Sequence, residues 1–195
     1  MKSLKGTKTA ENLMKSFAGE CQARTRYTYY SSVAKKEGFV QISNIFMETA
    51  EQEKEHAKRF YKFLKDEFAG EAIEINAAYP VGLYESTADN LRAAAAGEHE
   101  EWSHDYPEFA RIAREEGFPA IAAAYDKISE VENMHERRYN ALLKNVENGT
   151  VFKREEVVLW KCGNCGFIFE GKEAPELCPA CLHPKAYFEV CTEAY

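Results

Sequence analysis

Two short motifs, Glu53-x-x-His56 and Glu132-x-x-His135, lie 79 residues apart, and the same offset recurs around them. Gly38-Phe39 returns as Gly117-Phe118, Ile42 as Ile121, Arg59 as Arg138 and Leu64 as Leu143. A chain made of two like halves must pack them together and bury what they share. Glycines at 38, 70, 117 and 149 each close an Ala-, Glu-, Lys- and Arg-rich run. Glycine suits the left-handed residue that follows a helix. These stops mark four helices over roughly 9–37, 39–68, 87–116 and 118–147. Thr9 and Thr87 are the expected N-caps, and Pro119 fits a first helical turn. Helices of more than about 25 residues belong to bundles.

The loops at Gly38 and Gly117 are short, so each joins antiparallel neighbours. The connection over 69–86 is long and contains Pro80 and Gly82, as a ferritin-like crossover requires. The repeat slips once. Ala18-Gly19-Glu20 returns as Ala96-Gly97-Glu98 at an offset of 78, whereas Tyr27 and Tyr106 are again 79 apart. The third helix therefore holds one extra residue between Glu98 and Tyr106. Such an insertion is the usual origin of a π-bulge, and Pro107 would kink the same region.

At i, i+3 a glutamate and a histidine leave one helix face together. Two such pairs, with a lone glutamate on each remaining helix (Glu20 and Glu98), form the di-iron carboxylate pattern of four-helix bundles. Small neighbours, Ala18-Gly19 and Ala93 to Gly97, let the helices approach and bring both lone carboxylates inside. That many buried carboxylates stay ionised only beside cations. Oxygen-rich ligation with one imidazole per metal suits Fe, Mn or Zn, with Glu53 and Glu132 bridging. Glu101 shares the face of Glu98, while Ala23 stands at its counterpart in the first half. Glu101 is either a seventh ligand or, with Glu100, part of a solvated polar run.

Beyond about residue 148 the composition changes. Val157 to Trp160, Phe167 to Phe169 and Tyr187 to Val190 are short β-type runs among four cysteines, Cys162-x-x-Cys165 and Cys178-x-x-Cys181. Two knuckles of this spacing face each other in a tetrahedral four-sulfur site, which serves zinc or iron alike. A module this small relies on its metal as a staple. Cys21 and Cys191 read as free thiols.

The 195 residues are 45% apolar with a net charge of −7. That is enough for a core and argues against nucleic-acid binding. No run reaches the roughly 18 apolar residues of a membrane span, and the N-terminus carries no secretory pattern.

Taken together, these motifs resemble the rubrerythrin family over essentially the whole chain. The expected fold is mainly α: a ferritin-like di-iron four-helix bundle over 1–150, then a small rubredoxin-like β module over 151–195. The resemblance implies that Glu20, Glu53, His56, Glu98, Glu101, Glu132 and His135 hold two non-haem irons. It turns Glu101 from an open case into a ligand, and tips the ion held by Cys162, Cys165, Cys178 and Cys181 from zinc to iron. Tyr27 and Tyr106 match tyrosines that hydrogen-bond ligating glutamates. Leu182 departs from the pattern, since glycine is usual after the fourth cysteine. The implied activity is a cytoplasmic peroxidase that reduces hydrogen peroxide to water. Its electrons would come through the four-cysteine iron from a NAD(P)H-dependent reductase or a free rubredoxin. The expected assembly is a homodimer or larger homo-oligomer. Glu101 and His56 are expected to exchange on one iron with redox state. The rival readings are a ferroxidase or iron-handling protein, which would have no use for an electron-delivering module, and a zinc-ribbon interaction module.

Overall fold

The computed structural model describes residues 2–192; Met1 and residues 193–195, the end of the expected module, lie outside the described part. Five helices precede the small sheet: α1 (Lys8–Lys36), α2 (Val40–Phe68), α3 (Thr87–Glu100), α4 (Tyr106–Glu115) and α5 (Pro119–Glu147). A π-helical turn, Glu101–Asp105, joins α3 to α4. The third helix of the bundle is thus α3, the π turn and α4 in sequence, with the extra residue accommodated where the repeat slips. Pro107 sits in the first turn of α4, just past it, where its missing N–H costs least.

Helix ends follow their chemistry. Gly38, Gly70, Gly117 and Gly149 all have positive φ, and Pro119 opens α5. The expected caps are displaced. Thr7, not Thr9, accepts from the Ala10 N–H, and Ser86, not Thr87, accepts from that of Asp89. Thr9 instead donates its hydroxyl to Glu116, 2.6 Å away. The Thr87 backbone N–H donates to Glu37 at 2.6 Å. Both threonines lie at a junction between helix ends, where a carboxylate from beyond the end of another helix accepts from the Thr9 hydroxyl or the Thr87 backbone N–H, and the capping falls to Thr7 and Ser86.

Those two contacts fix the topology. The start of α1 meets the end of α4, and the start of α3 meets the end of α1, so α1 and α3 run antiparallel. Because α1 and α2 also form a hairpin, α2 and α3 are parallel, and the segment 69–86 must travel the length of the bundle. A helix of 29 residues is about 44 Å long, within the reach of an extended strand of that length. The strap is tied down by the Tyr79 hydroxyl, which donates to the Lys15 carbonyl at 2.7 Å, and by Tyr30, which donates to the Gly82 carbonyl at 2.9 Å.

Two apolar clusters fill the bundle. Leu13, Phe60, Tyr106, Tyr125 and Ile128 belong to one, and Tyr27, Tyr30, Phe46, Leu91 and Tyr139 to the other. On every helix the metal-type residues fall between them: Glu20 between Leu13 and Tyr27, Glu53 between Phe46 and Phe60, Glu98 between Leu91 and Tyr106, and Glu132 between Ile128 and Tyr139. The bundle thus has a polar waist with a core on either side.

The sheet is three-stranded and antiparallel, ordered β2-β1-β3, with β1 Lys153–Cys162, β2 Ile168–Glu173 and β3 Phe188–Val190. Trp160 and Phe188 are its buried centre. The module rests on the Gly38 end of the bundle. The rings of Phe39 and Phe152 stack with centroids 6.2 Å apart. A Cβ at Gly38 would meet Ala186 at 3.7 Å. No described helix is long and apolar enough to cross a membrane.

Candidate metal centre

Glu20, Glu53, Glu98 and Glu132 are fully buried in the waist, and His135 nearly so. They form two groups whose ligand atoms lie within 4.8 Å of one another: Glu20, Glu53, His56 and Glu132, and Glu53, Glu98, Glu132 and His135. Glu53 and Glu132 belong to both, as bridging requires. His56 Nδ1 lies 2.8 Å from Glu132, 3.0 Å from Glu53 and 3.8 Å from Glu20. His135 Nδ1 lies 2.8 Å from Glu132, 3.2 Å from Glu53 and 3.5 Å from Glu98. The imidazoles face each other with centroids 6.0 Å apart.

Close as they lie to one another, many of these buried atoms make no aligned hydrogen bond: one oxygen each of Glu20, Glu53 and Glu98, both of Glu132, and His135 Nδ1. Buried polar atoms are ordinarily satisfied. Orphans that converge from four helices on one small volume are what a cation site leaves when described by its protein atoms alone. The donor set, four carboxylates and two imidazoles, fits two hard or borderline divalent ions.

The electrostatics without metal agree. Burial and the neighbouring Glu53 push the Glu98 carboxyl up to about 8. Burial, then Glu53 and Glu132, raise Glu20 well above the usual range. Burial works against charge on both histidines, but their carboxylate partners overcome it. Led by Glu132 and Glu53, these lift His56 to about 10 and His135 to about 12. Glu53, buried but touched by both histidines, falls to about 2.

The tyrosines stand where the resemblance expects them. Tyr27 donates to Glu98 and Tyr106 to Glu20, each at 2.5 Å and fully buried. Burial raises both phenols well above their ordinary range, so both remain donors. Glu101 joins neither ligand group. It lines a cavity of about 680 Å³ between α1, α3 and the strap, together with Gly19, Arg26, Tyr79, Gly97 and Tyr106. Burial, then Glu98 and Glu132, raise its carboxyl well above the usual range.

One contact lies outside the residues the sequence singles out. His135 Nε2 meets Gln52 Oε1 at 3.0 Å. Comparing each repeat position with its partner would have found it, because residue 131 is valine where residue 52 is glutamine.

In the small module the sulfurs of Cys162 and Cys181 are 3.8 Å apart and those of Cys165 and Cys178 3.6 Å. A tetrahedron with metal–sulfur bonds of about 2.3 Å has edges of about 3.8 Å, so the four thiols fit a single ion. The His183 backbone N–H, donating to Cys181, holds that thiol down to about 6. Leu182 adopts φ 58°, the left-handed conformation that explains why glycine is usual there.

Comparison with known proteins gives the same two parts. The family model described as Rubrerythrin matches residues 11–143. The model described as Rubrerythrin, rubredoxin-like domain, matches residues 160–189. The chain is 71% identical to rubrerythrin of Clostridium perfringens across the whole of both chains. The chain belongs to the rubrerythrin family. Rubrerythrin of Nitratidesulfovibrio vulgaris is 55% identical over 97% of each chain. Among solved structures, fully reduced, all-ferrous nigerythrin aligns with TM-score 0.64 and 30% identity, covering 97% of this chain and 92% of that one. A Desulfovibrio desulfuricans bacterioferritin shares the bundle fold, with TM-score 0.65 at 21% identity over 73% of this chain and 82% of that one. Rubrerythrins are iron-binding oxidoreductases. The cofactors of this chain are accordingly a di-iron centre in the bundle and a single iron in the four-cysteine module.

Proposed function

We propose that this rubrerythrin is a peroxidase that reduces hydrogen peroxide to two waters, consuming two electrons and two protons. The observation that carries this reading is the fusion of a buried two-metal carboxylate site to a one-electron four-cysteine module. A site that only oxidised incoming iron would need no supply of electrons. On this reading Glu20 and His56 hold one iron, Glu98 and His135 the other, and Glu53 and Glu132 both. When bound, the paired irons supply one electron each to the O–O bond, and the four-cysteine iron restores them singly.

The chain's own residues do the rest. Tyr27 and Tyr106 orient Glu98 and Glu20 by hydrogen bonds that stay neutral. The cavity beside Gly19 and Gly97 admits a small polar substrate. Glu101 stands on its wall, with its carboxyl raised well above the usual range by burial and by Glu98 and Glu132. His56 stands inside a ligand group and Glu101 outside it, which is the arrangement we assign to the reduced protein. An ionised Glu101 carboxylate would suit a ferric pair, with its greater positive charge, better than the neutral imidazole of His56.

We assign the electron supply to a NAD(P)H-dependent reductase, directly or through a free rubredoxin, in the reducing cytoplasm. From Val40, beside the module, to Glu53 on α2 is about 20 Å, a long path within one chain. This supports a homodimer or larger homo-oligomer in which the module of one subunit serves the bundle of another. The test is anaerobic titration of the fully reduced protein with peroxide. A single equivalent per subunit should oxidise both bundle irons first, after which the four-cysteine iron passes its electron to one of them more slowly. Bundle irons that ignore peroxide yet turn over added ferrous iron with oxygen would replace this reading by iron handling.

A further inference from the structure

The two halves are not equally braced behind their histidines. On the His135 side, Gln52 Oε1 lies 3.0 Å from His135 Nε2 and also accepts from Arg138 Nη2 at 3.4 Å. The Gln52 amide nitrogen donates to Glu48 at 3.3 Å, which sets the amide orientation. Arg138 is itself held by Glu48 at 2.7 Å and by the Thr49 hydroxyl at 2.6 Å. An oxygen facing Nε2 makes that nitrogen the protonated one, so Nδ1 presents a lone pair to the waist.

The repeat offset places Lys127, Ile128 and Val131 where Glu48, Thr49 and Gln52 stand. All three acceptors of the brace are missing. Arg59, the counterpart of Arg138, stacks on Phe63 with its guanidinium 4.5 Å from the ring. It borders a cavity of about 280 Å³ with Lys127 and Ile128. Among the described residues His56 Nε2 has no hydrogen-bond partner; the contacts of His56 are made through Nδ1.

We propose that Gln52, clamped by Arg138, is a positioning residue that fixes His135 on its iron, and that Val131 leaves His56 free to depart. The repeat thereby encodes one fixed and one exchangeable histidine. The second half of this proposal rests on the reading that His56 and Glu101 exchange; the first half does not.

Two sets of variants test it in the full-length iron protein. Equilibrium competition with a ferrous chelator reads the bundle irons, while the four-cysteine iron is followed separately by its visible absorption. Gln52→Val should weaken retention of one bundle iron by roughly 10- to 100-fold, the usual effect of losing such a partner. Gln52→Glu, which keeps an acceptor, should recover most of it. Equal retention in parent and Gln52→Val, or no recovery with Gln52→Glu, overturns the clamp. For the other half, Val131→Gln, alone and with Lys127→Glu and Ile128→Thr, supplies the missing brace. Crystals of oxidised and reduced forms should then show His56 bound in both. Denying the ferric state its preferred ligand should shift the equilibrium toward ferrous about tenfold, which is about 59 mV per electron. A glutamine seen bonded to His56 Nε2 while His56 still leaves on oxidation overturns this half. Identical ligands in both states of the parent protein overturn it together with the exchange reading, and the chelator result still judges Gln52.

Discussion

Removing the bundle irons should invert the pH dependence of its stability. The perturbation exposes a waist that holds Glu20, Glu98 and Glu101 with raised carboxyls and two histidines with raised imidazoles. A group whose affinity for protons is higher folded than unfolded stabilises the fold below its unfolded pKa and loses that contribution as pH rises toward its folded value. Glu98 alone, raised from 4.5 to about 8, spans the whole interval from about pH 5.5 to about pH 8. At about 1.4 kcal/mol per pH unit, its share is about 3 kcal/mol lost across that interval. Above their unfolded value of 6.5 the histidines act in the same direction. Glu53, lowered to about 2, matters only in acid. For a chain of this size about 3 kcal/mol is roughly 6–12 °C in Tm. The iron-loaded bundle should behave oppositely, because its ligands bind metal only when deprotonated, so metal stabilisation grows with pH. The assay is thermal unfolding followed by far-ultraviolet circular dichroism, on apo- and iron-loaded protein across this range. An apo Tm that is flat or rises from about pH 5.5 to about pH 8 would refute the account of the waist.

Three further outcomes are expected. Tyr106→Phe removes a fully buried 2.5 Å bond to Glu20 and should cost the loaded bundle about 1.5–3 kcal/mol, read as a lower denaturant midpoint at unchanged slope; a loss below about 0.5 kcal/mol would contradict it. Ending the chain at Gly149 should leave a bundle that holds its irons and reacts once with peroxide but no longer turns over with reductase and NADH, and sustained turnover would move electron entry away from the four-cysteine module. Leu182→Gly relieves a left-handed leucine that is 74% exposed and should stabilise the small module by up to about 1 kcal/mol, measured as slower hydrogen exchange around Cys178; faster exchange would show that leucine packing outweighs the strain.

The parts of this molecule most legible in the sequence were those set by spacing. Two Glu-x-x-His pairs and two lone glutamates specify a four-helix waist because each lies at a fixed angle on its helix. The single slip between Glu98 and Tyr106 located the π turn at Glu101–Asp105 for the same reason. Local chemistry was less reliable where distant groups intervene. Thr9 and Thr87 look like caps in isolation, but carboxylates from Glu116 and Glu37 reach them across helix junctions. The cavity wall was invisible, because Arg26 and Tyr79 come from α1 and from a strap without periodicity.

The departures from the repeat are more informative than the repeat itself. Two identical halves would build two identical iron sites, with no basis for one ligand to move and the other to stay. Here Glu101, the first residue of the π turn, lies on the cavity wall, and its counterpart in the first half is Ala23. On α5, Lys127, Ile128 and Val131 remove the brace that Glu48, Thr49 and Gln52 give His135. His56, which lacks that brace, groups with Glu20. On the exchange reading proposed above, a vacatable ligand and its replacement would serve the same iron. Both changes are needed together: Glu101 without a free His56 would be a crowded seventh ligand, and a free His56 without Glu101 would leave a ferric ion short of charge. The Val131→Gln variant, which keeps Glu101, separates these two requirements, because it closes the exit and leaves the replacement in place.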